Sequence, residues 1–389
     1  MIHRRTAALA LLVAALSAAA SLLGPAPRGV ASGEPAAAHP PLLAYYYIWF
    51  DESSWDRAKT DYPLLGRYSS DDRAVMEKHI QWAKEAGIDG FLVSWKHTER
   101  LDRRLAQLID VAEAEDFKLG IVYEGLDFER HPLPAATVAA DLDVFLDRYA
   151  GRDAFKMYER PLVIWSGTWR FSTEDIESVA GPRRDRLMLL ATEKNVEGFQ
   201  RVEHTVDGDA YYWSSVNPDT YPDYPGKLAS VGAAVHAAGG TWIAPAAPGF
   251  DAKMVGGTSV VARNDGQTLR REMAAALESA PDAVGLISWN EFSENTYVEP
   301  SSKYGARYLQ FVKEAHDGAA PATRISAGTD GLDSSSPGGR WVTYQLPLLG
   351  ALVLAGIFSL AVVVRRSIST RRLRSVYPVP QGITRGDGE

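Results

Sequence analysis

The chain has 389 residues, 46% of them hydrophobic, with 41 Lys and Arg against 49 Asp and Glu and a formal net charge of −8. That apolar content suits one body of roughly 250 to 280 residues with accessory segments better than two equal domains. Cysteine is absent, which excludes disulfides, thiolate metal sites, a cysteine nucleophile and a lipobox anchor.

Residues 2–5 read "IHRR", an Ala/Leu-rich run follows from Ala7 to Leu23, and "GPAPRGVASGEPAAAHPP" comes next. A basic start, an apolar run and a small, Pro-rich exit predict an export signal over residues 1–40, either cleaved or kept as an anchor.

From 41 to 317 short β-rich runs alternate with helical stretches. The runs are "LLAYYY" (42–47), "DGFLVSW" (89–95), "KLGIVYEG" (118–125), "PLVIWS" (161–166), "LMLLAT" (187–192), "DAYYW" (209–213), "GTWIAPA" (240–246) and "AVGLISW" (283–289). Between them Val75, His79, Trp82 and Ala86 recur at helical spacing, as do Leu101, Leu105, Leu108 and Ala112. Ser69 and Ser70 before Asp71-Asp72 predict an N-cap, and Gly87 predicts that helix's end. Eight runs apolar throughout and joined through helices predict parallel pairing and a (β/α)8 TIM-type barrel, with an open doubly wound sheet as the alternative.

Residues 318–341 are rich in Gly, Ser, Ala and Asp and read as a stalk. The predicted transmembrane helix, 342–364, contains nineteen residues without a charge, Leu346 to Val364. As a helix that run is about 28 Å long, close to the ~30 Å hydrocarbon core of a bilayer. The tail, 365–389, begins "RRSISTRRLR"; five arginines there predict a cytoplasmic tail and a barrel outside the cell membrane. The first 40 residues hold three Arg against Glu34 and the last 25 hold six Arg against Asp387 and Glu389, which leaves −14 on residues 41 to 364. An acidic exterior body disfavours nucleic acid and anionic lipid as partners and favours a neutral substrate.

In such a barrel the chemistry sits at the C-terminal ends of the strands. Those ends carry Tyr45-Tyr46-Tyr47, Trp95-Lys96-His97, Tyr123-Glu124, Trp165 and Tyr211-Tyr212-Trp213, and the eighth runs into "WNEFSE", residues 289–294. Aromatic faces and carboxylates in one cleft suit a carbohydrate, whose apolar C–H face stacks on a ring while its hydroxyls bond to acids and amides. Any single aromatic is ordinary core; their coincidence at strand ends carries the reading. Glu291 and Glu294 could be first-turn acids favourable to a helix dipole. A carboxylate directly after a buried strand, however, is costly to place without a role, and paired carboxylates are what glycoside hydrolysis needs. Glu124 is a third acid of the cleft or a salt-bridged barrel residue. Metalloprotease, hydrolase-elbow, Walker and dinucleotide motifs do not occur. The histidines show no metal-ligand spacing, so no metal and no cofactor are implied; His79 is expected packed, and His97 at a strand end could line the cleft.

"ISWNEFSENTYVEP", together with "AYYYIWF", "AGIDGFLVSW", "FKLGIVYEG" and "PAAPGFD" in the same order, resembles glycoside hydrolase family 99, the endo-α-mannosidases and their relatives, over roughly residues 43–316. The resemblance implies that Glu291 acts as base on the sugar's 2-hydroxyl and that Glu294 protonates the leaving oxygen. It implies hydrolysis with retention through a 1,2-anhydro sugar, and Tyr46, Trp95, Glu124, Tyr212 and Arg263 as substrate-binding positions, with Asn290 beside them in the motif. The family's Trp-His between the acids is Phe292-Ser293 here and its following Gly is Asn295; these departures are expected on the walls of the site and leave sugar and linkage open. The expectation is a membrane-anchored, extracytoplasmic, endo-acting α-mannosidase taking an oligosaccharide or polysaccharide. The alternatives are an α-glucanase on a similar barrel and a surface glycan-binding protein without turnover.

Overall fold

The β-rich runs pair side by side as their patterning predicts. In the computed structural model, which describes residues 39–57 and 59–317, the strands are β1 (Leu42–Tyr47), β2 (Gly90–Trp95), β3 (Lys118–Glu124), β4 (Leu162–Ser166), β5 (Met188–Ala191), β6 (Gly208–Ala210), β7 (Thr241–Ala246), a two-residue hairpin β8 (Phe250–Asp251) and β9 (Val260–Val261), and β10 (Ala283–Leu286). Strands β1 to β7 and β10 close a parallel barrel in which β10 joins β7 to β1; β8 and β9 pair antiparallel outside it. Around it lie α1 (Arg73–Glu85), α2 (Glu99–Ala114), α3 (Ala135–Arg148), α4 (Thr173–Ala180), α5 (Val196–Gln200), α6 (Tyr224–Ala237), α7 (Gln267–Glu278) and α8 (Arg307–Asp317). This is the (β/α)8 barrel.

Alternation along each strand divides its side chains between two cores. Leu43, Tyr45 and Tyr47 of β1 join Leu92, Val122, Ile164, Leu190 and Ile243 inside the barrel. Their neighbours Ala44, Tyr46, Phe91, Val93 and Trp95 face the helices. Burial on both faces explains why the strands read as unbroken apolar runs. At Gly208, φ is +152° and a Cβ would stand 2.0 Å from the Thr241 carbonyl oxygen, so β6 reaches β7 only as glycine.

Gly87 ends α1 with φ of +78°, as expected. The N-cap, though, is Asp72, whose side chain accepts the Ala74 N–H. Ser69 instead accepts the Asp71 N–H and Ser70 the Phe50 N–H, because both lie in the turn before the helix rather than at its threshold. Barrel pairing on β10 stops at Leu286, short of the expected Trp289, although the Ile287 and Trp289 N–H groups still donate to Ala246 and Tyr45. The β8–β9 hairpin has no counterpart in the predicted elements.

The long loop after β1, residues 48–72, is fastened at both ends. Buried Arg104 of α2 donates to the Ile48 carbonyl (3.1 Å), to Asp71 (2.6 Å) and to Asp51. Its hydrogen bonds hold the Asp71 carboxyl down at about 2. Across the mouth, Tyr297 donates to Asp61 (2.7 Å) and the Leu64 N–H to the Pro300 carbonyl (2.8 Å), which stitches this loop to the one after β10. Among the described residues no helix is long and apolar enough to cross a membrane. The predicted export segment up to residue 38, the stalk, the transmembrane helix and the tail lie outside the described residues.

Candidate active site

The site begins where β10 runs out. After Leu286 the chain turns over the barrel mouth and pins itself there: the Glu291 N–H donates to Ser288 Oγ (2.9 Å), and Ser288 Oγ and Thr296 Oγ1 lie 2.9 Å apart. Asn290 fixes the turn to β1. Its Oδ1 accepts the Tyr47 N–H (2.9 Å) and its Nδ2 donates to the Tyr47 carbonyl (3.0 Å) and to Tyr68 Oη (3.3 Å). A fully buried amide with its polar atoms engaged in this way positions the loop rather than meeting a ligand.

Glu291 is buried, and its Oε1 accepts the Ser293 N–H at 2.8 Å. Burial pushes its carboxyl above the ordinary range, opposed by Ser293 and by the Lys59 ammonium. Lys59 reaches across from the β1 loop to donate to Ser293 Oγ at 2.6 Å. Glu294 is half-buried; burial, with the Glu291 charge next in importance, pushes its carboxyl up to about 7. Glu124, at the end of β3, accepts from Ser94 Oγ of β2 at 2.7 Å and is likewise raised by burial. Two phenols complete the wall: Tyr47 and Tyr212 meet hydroxyl to hydroxyl at 2.6 Å, Tyr212 sets its ring edge-on against Tyr45 at 4.8 Å, and Trp49 stacks on Tyr47 at 4.4 Å with 39% of its surface exposed. Both phenols are held above their ordinary pKa, by burial first and then by neighbouring acidic groups, Glu294 among them. Two carboxyls of unequal environment, both raised by desolvation and Glu294 further by the Glu291 charge, form the arrangement that acid–base chemistry requires.

Of the expected residues, Glu291, Glu294, Glu124 and Tyr212 come together at the mouth, with Asn290 beneath them. Tyr46 and Trp95 do not. Tyr46 points outward, stacks on Phe91 at 4.5 Å and meets His79 Nδ1 at 3.0 Å. Trp95 is fully buried among Phe145 and Tyr149, with its indole N–H given to Asp102 at 3.0 Å. Both are one residue out of phase with the inward face, where Tyr47 and Ser94 stand. Arg263 is also 6% exposed; its guanidinium lies 4.3 Å from the Tyr308 ring and 4.5 Å from the Tyr297 ring and donates to the Asn295 and Tyr297 carbonyls (3.0 and 2.7 Å). It clamps the segment just past Glu294. His97 lies at the rim and pairs with Asp102 at 2.7 Å, away from the acids.

The departures from the motif resolve into separate roles. Phe292 is not on the wall: it is fully buried, stacked on Tyr297 at 4.0 Å. Ser293 lies between Lys59 and Glu291. Asn295 adopts φ of 55°, a left-handed conformation that Asn tolerates better than most residues other than Gly. The structure adds Tyr47, which the sequence shows only as one of three strand-end tyrosines, and Ser94 and Lys59, which the sequence does not single out. Period-two counting from Leu43 and Leu92 marks the first two; nothing local marks Lys59, which arrives through a loop. A hollow of about 400 Å³ lined by Arg160, His204, Asp207 and Thr241 lies at the opposite, N-terminal end of the strands. Arg160 is committed there to Asp207 and the Leu187 carbonyl.

Residues 64–324 match the model of glycosyl hydrolase family 71. The chain belongs to glycosyl hydrolase family 71. The expected likeness to the endo-α-mannosidases holds beside it. This family 71 chain is 21% identical over 287 residues to the glycoprotein endo-alpha-1,2-mannosidase of Rattus norvegicus, a match covering 66% of the chain and 60% of that relative's length. The structure is similar to that of the GH99 endo-alpha-mannosidase from Bacteroides thetaiotaomicron, with a TM-score of 0.63, 18% identity and coverage of 71% of this chain and 96% of that one. A glycoside hydrolase-like protein follows at a TM-score of 0.56 and 15% identity, covering 74% and 96%. At these identities the structures speak for the fold, and the family match makes the chain a glycoside hydrolase. Among the described residues no group of three or more His, Cys, Asp or Glu could hold a metal ion.

Proposed function

We propose that the family 71 chain is an endo-acting α-mannosidase working with retention, with Glu294 as general acid and Glu291 as base. The observation that carries this is the pair of carboxyls on the β10 loop, pushed up in pKa at a mouth walled by Tyr47 and Tyr212. The name of the rat relative supports mannoside as the sugar. In the first step Glu291 takes the proton of the 2-hydroxyl as the 2-oxygen attacks the anomeric carbon. The glycosidic C–O bond breaks and Glu294 gives its proton to the leaving oxygen. A 1,2-anhydro sugar results. Water, giving a proton to Glu294, then opens the ring at the anomeric carbon while Glu291 returns its proton to the 2-oxygen, so both acids end as they began. A carboxyl titrating at about 7 is half protonated at neutral pH, which suits this exchange of roles.

The proposed setting is the outer face of a cell membrane. The support is sequence alone: the apolar run Ala7–Leu23, the uncharged run Leu346–Val364 and the arginines after it. Protease protection of a C-terminal tag in intact cells, with the barrel cleavable from outside, checks this orientation.

The functional test incubates the chain with α-1,2-, α-1,3- and α-1,6-linked mannans and an α-1,3-glucan and follows products by proton NMR. Oligosaccharides first released in the α configuration from a mannan, with activity declining as pH rises through about 7, are the expected result. Release from the glucan alone would transfer the reading to an α-glucanase. Tight binding of one polymer without cleavage would make the protein a lectin.

A further inference from the structure

Cations at the barrel mouth are gathered on one arc. Lys96 follows β2, Arg130 lies in the loop after β3, Arg170 follows β4 and Lys194 follows β5, so four successive strands each contribute one. Arg130, Arg170 and Lys194 are exposed and Lys96 is half-buried. Trp169, also half-buried, stands among them: Lys194 Nζ is 4.1 Å and the Arg130 guanidinium carbon 5.9 Å from its ring. Acids flank the arc, and Glu193 acts on Lys194. Asp127 and Glu129 approach His131 at 3.4 and 3.8 Å, and buried Glu193 pairs with Arg201 at 3.0 Å.

None of the four cations forms an ion pair within 4.0 Å among the described residues, whereas Arg103, Arg152, Arg160 and Arg183 all do so away from this arc. Burial, with Arg130 and Arg170 beside it, pushes the Lys194 ammonium below its ordinary pKa. The arc adjoins the site, since Arg130 acts on both Glu124 and Glu294 and Lys96 acts on Glu124. Cations of an otherwise acidic body thus collect on one side of the mouth. Like charges held close without a direct ion pair repel, and an anion brought by a ligand relieves that repulsion.

We propose that this arc is a subsite for a glycan bearing an anionic substituent, a phosphate or a carboxylate, with a sugar ring against Trp169 and the negative oxygens held between Arg130, Arg170 and Lys194. The assignment rests on the reading of the mouth as a glycosidase site. It replaces the neutral substrate suggested by net charge with a charged polymer.

The test uses the full chain, purified in mild detergent and carrying Glu294→Gln so that binding is read without turnover. Calorimetry compares an α-mannan oligosaccharide with the same backbone phosphorylated and with the same backbone oxidised at C6 to the carboxylate. At least tenfold tighter binding of one charged probe, shrinking between about 50 and about 300 mM salt, is expected; the two charged arms tell phosphate from carboxylate. Adding Lys194→Gln with Arg170→Gln should bring charged and neutral probes to within about threefold, while Lys194→Arg with Arg170→Lys retains the preference. Equal binding of all probes, or a preference that survives the two Gln substitutions, overturns the proposal. Cleavage of neutral mannan by the chain with Glu294 intact, without charge preference in binding, sinks this inference and leaves the hydrolase reading standing. Charge preference in binding with no probe cleaved does the reverse.

Discussion

Tyr46 and Tyr47 are neighbours at the end of one strand and both are buried, yet they serve different parts of the molecule. Tyr47 faces the barrel axis, meets Tyr212 at 2.6 Å and lies in the field of Glu124 and Glu294. Tyr46 faces the helices and joins a closed network in which His79 binds its hydroxyl at 3.0 Å and Glu299 at 3.0 Å, while Tyr68 donates to Glu299 at 2.9 Å. The same division separates Ser94 from Trp95, and Glu124 from Tyr123, whose hydroxyl goes to Asp141 at 3.0 Å. Tyr46, Trp95 and Tyr123 spend their polar atoms on the layer beneath the helices, whereas Tyr47, Ser94 and Glu124 spend theirs on groups at the mouth. A residue's being at a strand end is thus insufficient, and the parity of its position decides.

The sharpest way to break the comparison is to alter one residue from each face. Glu294→Gln should lower kcat by about 10²- to 10⁴-fold with the fold retained, as loss of a positioned acid does; near-normal turnover would remove it from the chemistry. Trp95→Ala should cost about 3–5 kcal/mol of stability, read by denaturant unfolding, while KM for whatever protein remains folded stays unchanged. If Trp95→Phe raises KM instead, the outer face does reach the ligand. Next in size is the tyrosine pair. Tyr47→Phe should lower kcat/KM about tenfold at a stability cost of ~1 kcal/mol, and Tyr46→Phe should cost ~1–3 kcal/mol with kcat/KM unaltered, because it leaves a buried histidine nitrogen unpaired.

The smallest expected effect is a pH dependence of stability. Glu294 has its pKa raised from 4.5 to about 7 in the folded protein. The folded state therefore holds more protons between those values, and stability falls as pH rises through that window. Glu294→Gln removes the loss. It should match the parent near pH 4.5 and exceed it at pH 8 by on the order of 1 kcal/mol for a partly solvated carboxyl. A stability difference independent of pH would mean that the raised pKa is absent.

Much of the barrel was legible because its strands are apolar on both faces and its helices repeat at three and four residues. Glu291, Glu294 and Glu124 were legible for a related reason: a carboxylate where an apolar strand ends stands out against its surroundings. Tyr46 and Trp95 are not told apart from Tyr47 and Ser94 by polarity, because the strands are buried on both faces; period-two spacing sorts the two sets, and only the closed barrel says which of them looks inward. The β8–β9 hairpin was missed because two-residue strands have no period, and Lys59 because it reaches Ser293 across 234 positions of sequence.

By itself, then, the sequence determined the repeating β/α architecture, the strand whose end carries the paired acids and the family likeness, since each of these rests on neighbours along the chain. Tertiary structure alone decided which face of each strand looks inward, that Asn290 and Arg263 hold the loop of the acids, and that a body of negative total charge gathers at one side of the mouth cations that make no direct ion pair among the described residues. The physical reason is closure. Only when eight strands pair around an axis does the inside become distinct from the outside, and only then do loops from separate strands share one field.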